Sequence, residues 1–296
     1  MSTIGFVKYK FFRRNKSIDA YKPEDVLSNI EGIKDKAFEN IHKKFENENG
    51  KLFLFNFSDI GWSYKRFNYQ INFGNRSAFI KFYKEKSLKK ILKKRGFSKL
   101  LVNLLTNLYF IYKKLFQKKK SNKKKEIHFI LSKECPTWVD TLFRSFVNYW
   151  SYMTVYRSIN FIKWRIFKNP FNKNFFVSIF YNKKPIGYFI FEKKKNILSV
   201  IDIILVPISP KLNSDYIINE MIGYIDNYCV THNIEASKFD LYLESKLNQV
   251  IKKQLIKNSY LINKKKSDFS FKNNMRLTPE YINKYLYLTN IFKAGR

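Results

Sequence analysis

Asp202 stands out for its setting in this 296-residue chain, a lone carboxylate in ILSVIDIIL among apolar or small neighbours. A carboxylate placed there either pairs structurally with a cation, for which Arg165 is the expected partner, or exchanges protons with a substrate. Glu244, at the end of a strand expected over 238–243, is a second proton acceptor, and Tyr260 and Tyr242 carry hydroxyls that can donate. Cys135 and Cys229 are the only cysteines, too few and too far apart for a disulfide framework or a zinc site. His42, His128 and His232 match no metal-ligand spacing, so no metal is expected. The chain has no G-x-S-x-G, no C-x-x-C and no Gly-Lys-Ser/Thr phosphate loop. Gly74-Asn75-Arg76 reads as a hairpin turn.

Periodicity supplies the elements that must position these groups. KKKSNKKK (118–125) is too charged to bury and is expected to link residues 1–117 to residues 126–296. Downstream, EIHFILS (126–132) alternates as a strand, and a helix follows with Trp138, Leu142, Phe146, Tyr149, Trp150 and Met153 at helical spacing. A short helix over 158–168 leads to strands near 174–181, 186–192 and 197–205. Asn213 or Ser214 caps a helix running to about His232, with Ile217, Ile218, Met221, Ile222, Ile225 and Cys229 on one face. A strand at 238–243, a helix at 245–257 and strands near 259–263 and 284–290 complete a mixed α/β order. Upstream, a helix from Ile33 to Phe45, strand KLFLFNF, a helix over 61–67 and strands YQINF and SAFIKFY repeat the last five elements, without the strands that should precede them. This reads as a truncated or degenerate second copy.

The net charge is +34, but only 10 of the 57 basic residues are Arg. Lys, Asn, Ile, Phe and Tyr share AT-rich codons, so genome composition accounts for much of the charge, and nucleic acid is not the expected partner. MSTIGFVKYKFFRRNK lacks the apolar core and cleavage site of a signal peptide, so a cytoplasmic location is expected. Residues 97–116 place apolar side chains at helical spacing between Lys93-Lys94-Arg95 and the run after Phe116. They are too interrupted to span a bilayer; a helix packed on the protein body or a peripheral membrane contact is expected.

Arg157, Phe161, Trp164-Arg165 and Asn169-Pro170, followed by Pro185-Ile186-Gly187-Tyr188 and Asp202, resemble the R…FLxWRxxxNP, hydrophobic-Gly-Tyr and VxDLL segments of a group within the GNAT superfamily of acyl-CoA N-acyltransferases. That group is the two-domain type associated with surface-polysaccharide biosynthesis. Gly32-Ile33 resembles the tail of the superfamily's phosphate loop, and Phe57 with SYKRFNY its "FxN…YxkxGF" segment.

The resemblance implies an α/β GNAT-like domain over 126–296 and an acyl-CoA, such as acetyl-CoA, held between splayed parallel strands at 197–205 and 238–243. It places Ile203, Leu205, Lys211, Asn213 and Ser214 at the cofactor and Trp164 and Arg165 at the substrate, an amino sugar or other small amine. Asp202 or Glu244 would take the amine proton and Tyr260 or Tyr242 would protonate the leaving thiolate. The loop VPISPKLNSD departs from the pattern, with two prolines and no glycine where backbone N–H groups should reach phosphate. SNIEGIKD keeps Gly32 but has lost the basic residue and sets Glu31 beside it.

Overall fold

Val7, Tyr9 and Phe11 alternate with Lys8 and Lys10, and this period of two makes a strand despite its charge. β1 (Ser2–Arg13) buries Tyr9 and Phe11 and exposes Lys8 and Lys10. It pairs antiparallel with β2 (Lys16–Ser28), from Arg13↔Lys16 out to Ser2↔Ser28. The expectation that no strands precede the upstream copy is therefore corrected. The computed structural model describes residues 2–13, 16–28, 37–49, 53–57, 70–71, 75–116, 127–168, 173–210, 212–242, 245–266, 269–273, 277–289 and 291. Gly32-Ile33, residues 61–67, the run 118–125, Asn169-Pro170, Lys211 and Glu244 lie outside them.

After β2, helix α1 (Ala37–Asn49) crosses to β3 (Phe53–Phe57), which lies parallel to β2. With β4 (Gln70–Ile71), β7 (Met153–Val155) and β13 (Phe269–Asn273) they form a six-stranded sheet in the order β4-β13-β3-β2-β1-β7. The second sheet has seven strands. Its order is β12 (Leu261–Lys266), β5 (Asn75–Phe82), β11 (Ala236–Leu241), β10 (Ile197–Leu205), β9 (Lys184–Lys194), β8 (Lys173–Tyr181) and β6 (Ile127–Ser132). Its one parallel pair is β10–β11, bridged by helix α6 (Ser214–Thr231). This is the expected mixed α/β sheet.

The two sheets exchange strands. SAFIKFY, read as part of the upstream copy, supplies β5 between β11 and β12, while β7 and β13 from downstream extend the first sheet. One apolar core accordingly joins Tyr9 and Phe11 to Phe143, Tyr188 and Tyr287.

Helix α4 (Val139–Trp150) stops because Ser151 adopts a left-handed conformation, φ 55°, so Met153 belongs to β7 and not to the helix. Helix α5 (Ile159–Ile162) is capped by Ser158 and widens into a π turn over Lys163–Phe167. Helix α7 (Lys246–Lys257) follows β11. The strand expected near 284–290 is instead helix α8 (Pro279–Tyr285), started by the Thr278 side chain and Pro279, then an extended stretch with a single bridge, Met153↔Leu286. Helices α2 (Glu85–Lys94) and α3 (Lys99–Phe116) form a hairpin after β5, of which only α3 is evident from the pattern of residues.

The turn Asn182-Lys183 has φ of 45° and 63°, the left-handed pair that a two-residue hairpin between β8 and β9 requires. At Gly187 a Cβ would meet the Ile204 carbonyl oxygen at 2.7 Å. Backbone cannot yield as a side chain does, so Gly187→Ala is expected to destabilise the fold by about 1–3 kcal/mol, measured by urea unfolding.

Candidate functional site

Strands β10 and β11 pair from Ile197↔Ala236 to Val200↔Phe239 and then part, although both continue, to Leu205 and Leu241. The parting coincides with a bulge on β10 between Val200 and Asp202, which turns Asp202 to the face that carries Tyr188. Such a fork leaves backbone groups of β10 without a strand partner. Val206 N–H donates back to Ile186 on the β9 side, so by alternation Ile203 and Leu205 direct their backbone groups into the fork.

The two carbonyls among them are already engaged. The Tyr287 hydroxyl donates to the Ile203 carbonyl at 2.7 Å and Trp150 Nε1 to the Leu205 carbonyl at 2.8 Å. Tyr152 lies between the two rings, parallel to both, with centroids 5.7 Å from Trp150 and 5.4 Å from Tyr287 and interplanar angles of 4° and 7°. Its hydroxyl accepts from Leu247 N–H at 2.8 Å, in the first turn of α7, so the stack bridges the fork from β10 to that helix. Burial pushes Tyr152 up to about 12 and Tyr287 well above the ordinary tyrosine value, keeping both protonated. The space left beside Asp202, Ile203, Leu241 and Thr289 is about 10 Å³, room for roughly one water. The aromatic stack thus lies in the fork where the resemblance sets the pantetheine arm.

Asp202 is fully buried and its partner is Arg157, not Arg165. Arg157 donates from Nε and NH2 to the two carboxylate oxygens at 3.4 and 3.3 Å, and from NH1 to Thr154 Oγ1 and the Val155 carbonyl. Thr289 Oγ1 (2.6 Å) and Tyr188 hydroxyl (3.2 Å) donate to the same carboxylate. Burial first, then the nearby Asp202 charge, raises Tyr188 well above the usual range. Thr154 also donates to the Tyr287 carbonyl at 2.7 Å, tying this buried ion pair to the aromatic stack. Both Asp202 oxygens are bonded, the arrangement of a charge that holds segments 154–157 and 287–289 against β10.

Tyr260 lies on the opposite face. Its hydroxyl shares a hydrogen bond with Ser237 at 2.7 Å, and Ser237 with Tyr83, which donates to Asp226 of α6 at 2.6 Å. Phe189 and Phe191 pack on Tyr224 and Tyr228 of α6, so this is the sheet face away from Tyr188 and Asp202. Burial and then Asp226 push Tyr260 well above its ordinary value. Tyr260 and Asp202 therefore cannot act on one substrate. Tyr242 is fully buried.

Of the remaining expected site residues, Asn213 and Arg165 have partners of their own. Asn213 caps α6, its Oδ1 accepting from Tyr216 N–H at 2.9 Å, and Ser209 Oγ accepts from Leu212 N–H at 3.2 Å. Ser214 begins α6, half-buried. Trp164 is half-exposed beside Phe161 and the Arg165 guanidinium, while Arg165 Nε donates to the Ile291 carbonyl at 3.1 Å. Residue types did not reveal Trp150, Tyr152, Tyr287 or Thr289 as fork residues; the alternation in KYLYLT was the only signal.

A second buried cluster lies near Tyr260. Lys81 pairs with Asp226 at 2.6 Å, and Lys113 of α3 donates to the Phe82 carbonyl at 2.9 Å with its ammonium 4.7 Å from the Tyr83 ring. Burial first, then Lys81, lowers Lys113 from its ordinary 10.5 to about 8. Below pH 8 the folded and unfolded states both carry this proton; from there to 10.5 the unfolded state holds more, so its contribution to stability rises with pH. Wild-type stability relative to Lys113→Met is expected to rise by about 2 kcal/mol between pH 7.5 and 10 in urea titrations.

The first sheet contains a fork of the same topology. Among the described residues, β2 and β3 pair in parallel at Ala20↔Phe53 and Tyr21↔Leu54, while β2 runs on to Ser28 and β3 to Phe57, with α1 as the crossover.

No family model matches the sequence, and neither does any curated protein. Solved structures do resemble the fold. A probable N-acyltransferase from Enterococcus faecalis superposes with a TM-score of 0.58 at 9% identity, over 96% of this chain and 61% of its own. A GCN5-related N-acetyltransferase from Anabaena variabilis gives 0.55 at 10%, over 91% and 59%. Saccharomyces cerevisiae N-myristoyltransferase, solved with bound myristoyl-CoA, gives 0.51 at 9%, over 91% and 62%. The chain thus spans about three fifths of the length of these structures. The expected GNAT-like fold is borne out, and at such identities the likeness is one of fold.

Proposed function

We propose that this chain is an acyl-CoA-dependent N-acyltransferase in which the cofactor enters the first fork, β2–β3, while the second fork serves as structural support. The observations that carry the reading are the filling of the second fork and the repeat of its topology in the first. The second is filled by the chain's own Trp150, Tyr152 and Tyr287. In the first, parallel pairing among the described residues ends after Tyr21↔Leu54, and the crossover into α1 contains Gly32, the glycine that survives from the phosphate-loop pattern. The N-acetyl- and N-myristoyltransferases that share the fold support the same class of chemistry.

When bound, acyl-CoA would supply a thioester for attack by an amine. β2 beyond Tyr21 would offer backbone groups to the pantetheine arm, and the start of α1 would favour the pyrophosphate. The proposed acceptor is an amino sugar or other small amine, with surface-polysaccharide synthesis as the setting and the cytoplasm as the location. In this reading Asp202 positions the second unit through Arg157 and takes no substrate proton.

Calorimetry with acetyl-CoA tests the proposal. Binding at submillimolar concentration is expected, weakened tenfold or more by Gly32→Glu, which sets a second carboxylate beside Glu31. No binding at millimolar ligand would overturn it and leave the alternative that the closed second fork favours, a non-catalytic scaffold of acyltransferase fold.

A further inference from the structure

Helix α3 has a buried face and an exposed apolar face. Val102, Thr106, Tyr109 and Lys113 are buried; Tyr109 packs edge-on to Phe82 and accepts from its N–H at 3.0 Å, and Lys113 donates to its carbonyl. The outer face presents Leu100, Leu104, Leu108, Ile111 and Leu115, each between 50% and 80% exposed. Their spacing of three to four residues sets them in one stripe about 22 Å long at 1.5 Å per residue. No neighbouring element of the described structure covers it.

Charge surrounds the stripe. Residues 84–125 contain sixteen Lys and Arg against one acidic residue, Glu85. Lys93, Lys94, Arg95 and Lys99 are exposed at one end of α3, Lys114 is exposed near the other, and the sequence runs on through Lys118 to Lys125. A second copy of this chain would bring the same dense positive charge against itself, which disfavours self-association through this face. Nucleic acid would take the cations but leave the leucines in water. An anionic bilayer surface accepts both, headgroups meeting the cations and acyl chains the stripe. Among the described residues no helix is long and apolar enough to cross a membrane, so the geometry is that of a helix lying in the interface.

We propose that α3 is a membrane-docking helix that seats the protein on anionic lipid through its outer stripe and flanking cations. This stands independently of acyl transfer.

The test is flotation of the purified full chain with vesicles of phosphatidylcholine alone or with 30% phosphatidylserine, at low and high salt. At least tenfold tighter binding to the anionic vesicles is expected. The exposed double variant Leu104→Glu/Leu108→Glu should lose at least tenfold of that binding with its unfolding midpoint unchanged, and Lys93→Glu/Lys94→Glu should weaken it and reduce its salt dependence. The proposal is overturned by absence of vesicle binding, by equal binding to both vesicle types, or by a leucine double variant that binds as well as wild type. Concentration-dependent self-association abolished by the leucine changes would assign the face to a second copy and equally overturn it.

Discussion

Arg157→Met is expected to destabilise the fold by roughly 3–5 kcal/mol, because it leaves the Asp202 carboxylate buried without its cation. The loss comes from the orphaned charge more than from the missing attraction. The double variant Arg157→Met/Asp202→Leu should therefore recover much of it, since an apolar pair of similar size needs no hydration. Arg157→Lys keeps the charge but cannot direct Nε and NH2 at both carboxylate oxygens while NH1 serves Thr154 and Val155, so an intermediate loss is expected. Urea unfolding of the wild type, these three variants and Asp202→Leu alone measures this. A single-variant effect below about 1 kcal/mol, or additive losses in the double variant, would show that Asp202 does not depend on Arg157.

Tyr287→Ala is expected to cost a similar amount, about 3–5 kcal/mol, by removing a fully buried ring from the stack in the second fork. Part of that is the Ile203 carbonyl, which loses its donor; Tyr287→Phe isolates this share at about 1–3 kcal/mol. If the stack is the structural plug described here, both variants lose stability while affinity for acetyl-CoA stays at the wild-type value. An increase in affinity with Tyr287→Ala would mean that the fork is a cofactor site held closed.

Much of the second sheet was legible because its strands carry strong local signals. SIFYNKKPIGYFIF reads as a hairpin from its turn residues, and the elements from Ile197 to Lys257 follow periodicity and capping side chains closely. The first hairpin was not read because lysines on the outer face of β1 mask the alternation of Val7, Tyr9 and Phe11. Strand exchange was invisible for another reason: the sequence of β5 suits either sheet, and only tertiary pairing with β11 and β12 decides its place.

The candidate site was legible as a fork and not as a filled one. Asp202 was recognisable as a buried carboxylate, but Arg157 and Arg165 lie eight residues apart and spacing does not say which faces it. Arg157 precedes the Ser158 cap and reaches Asp202, whereas Arg165 in the π turn bonds Ile291. The stack is assembled from residues 150, 152 and 287, the first two divided by the left-handed Ser151 and the third arriving after α8 from the far end of the chain. No local pattern predicts such a meeting. The prolines of VPISPKLNSD were the one local sign, since a loop poor in phosphate donors adjoins the fork that the aromatic stack fills.

The division of labour between the two forks is tested most directly by hydrogen–deuterium exchange of the full chain with and without saturating acetyl-CoA. Ligand-dependent protection is expected in peptides covering 21–36 and 53–57, with no change over 203–216 or 286–289. Protection centred on 203–216 would place the cofactor in the second fork and contradict the account.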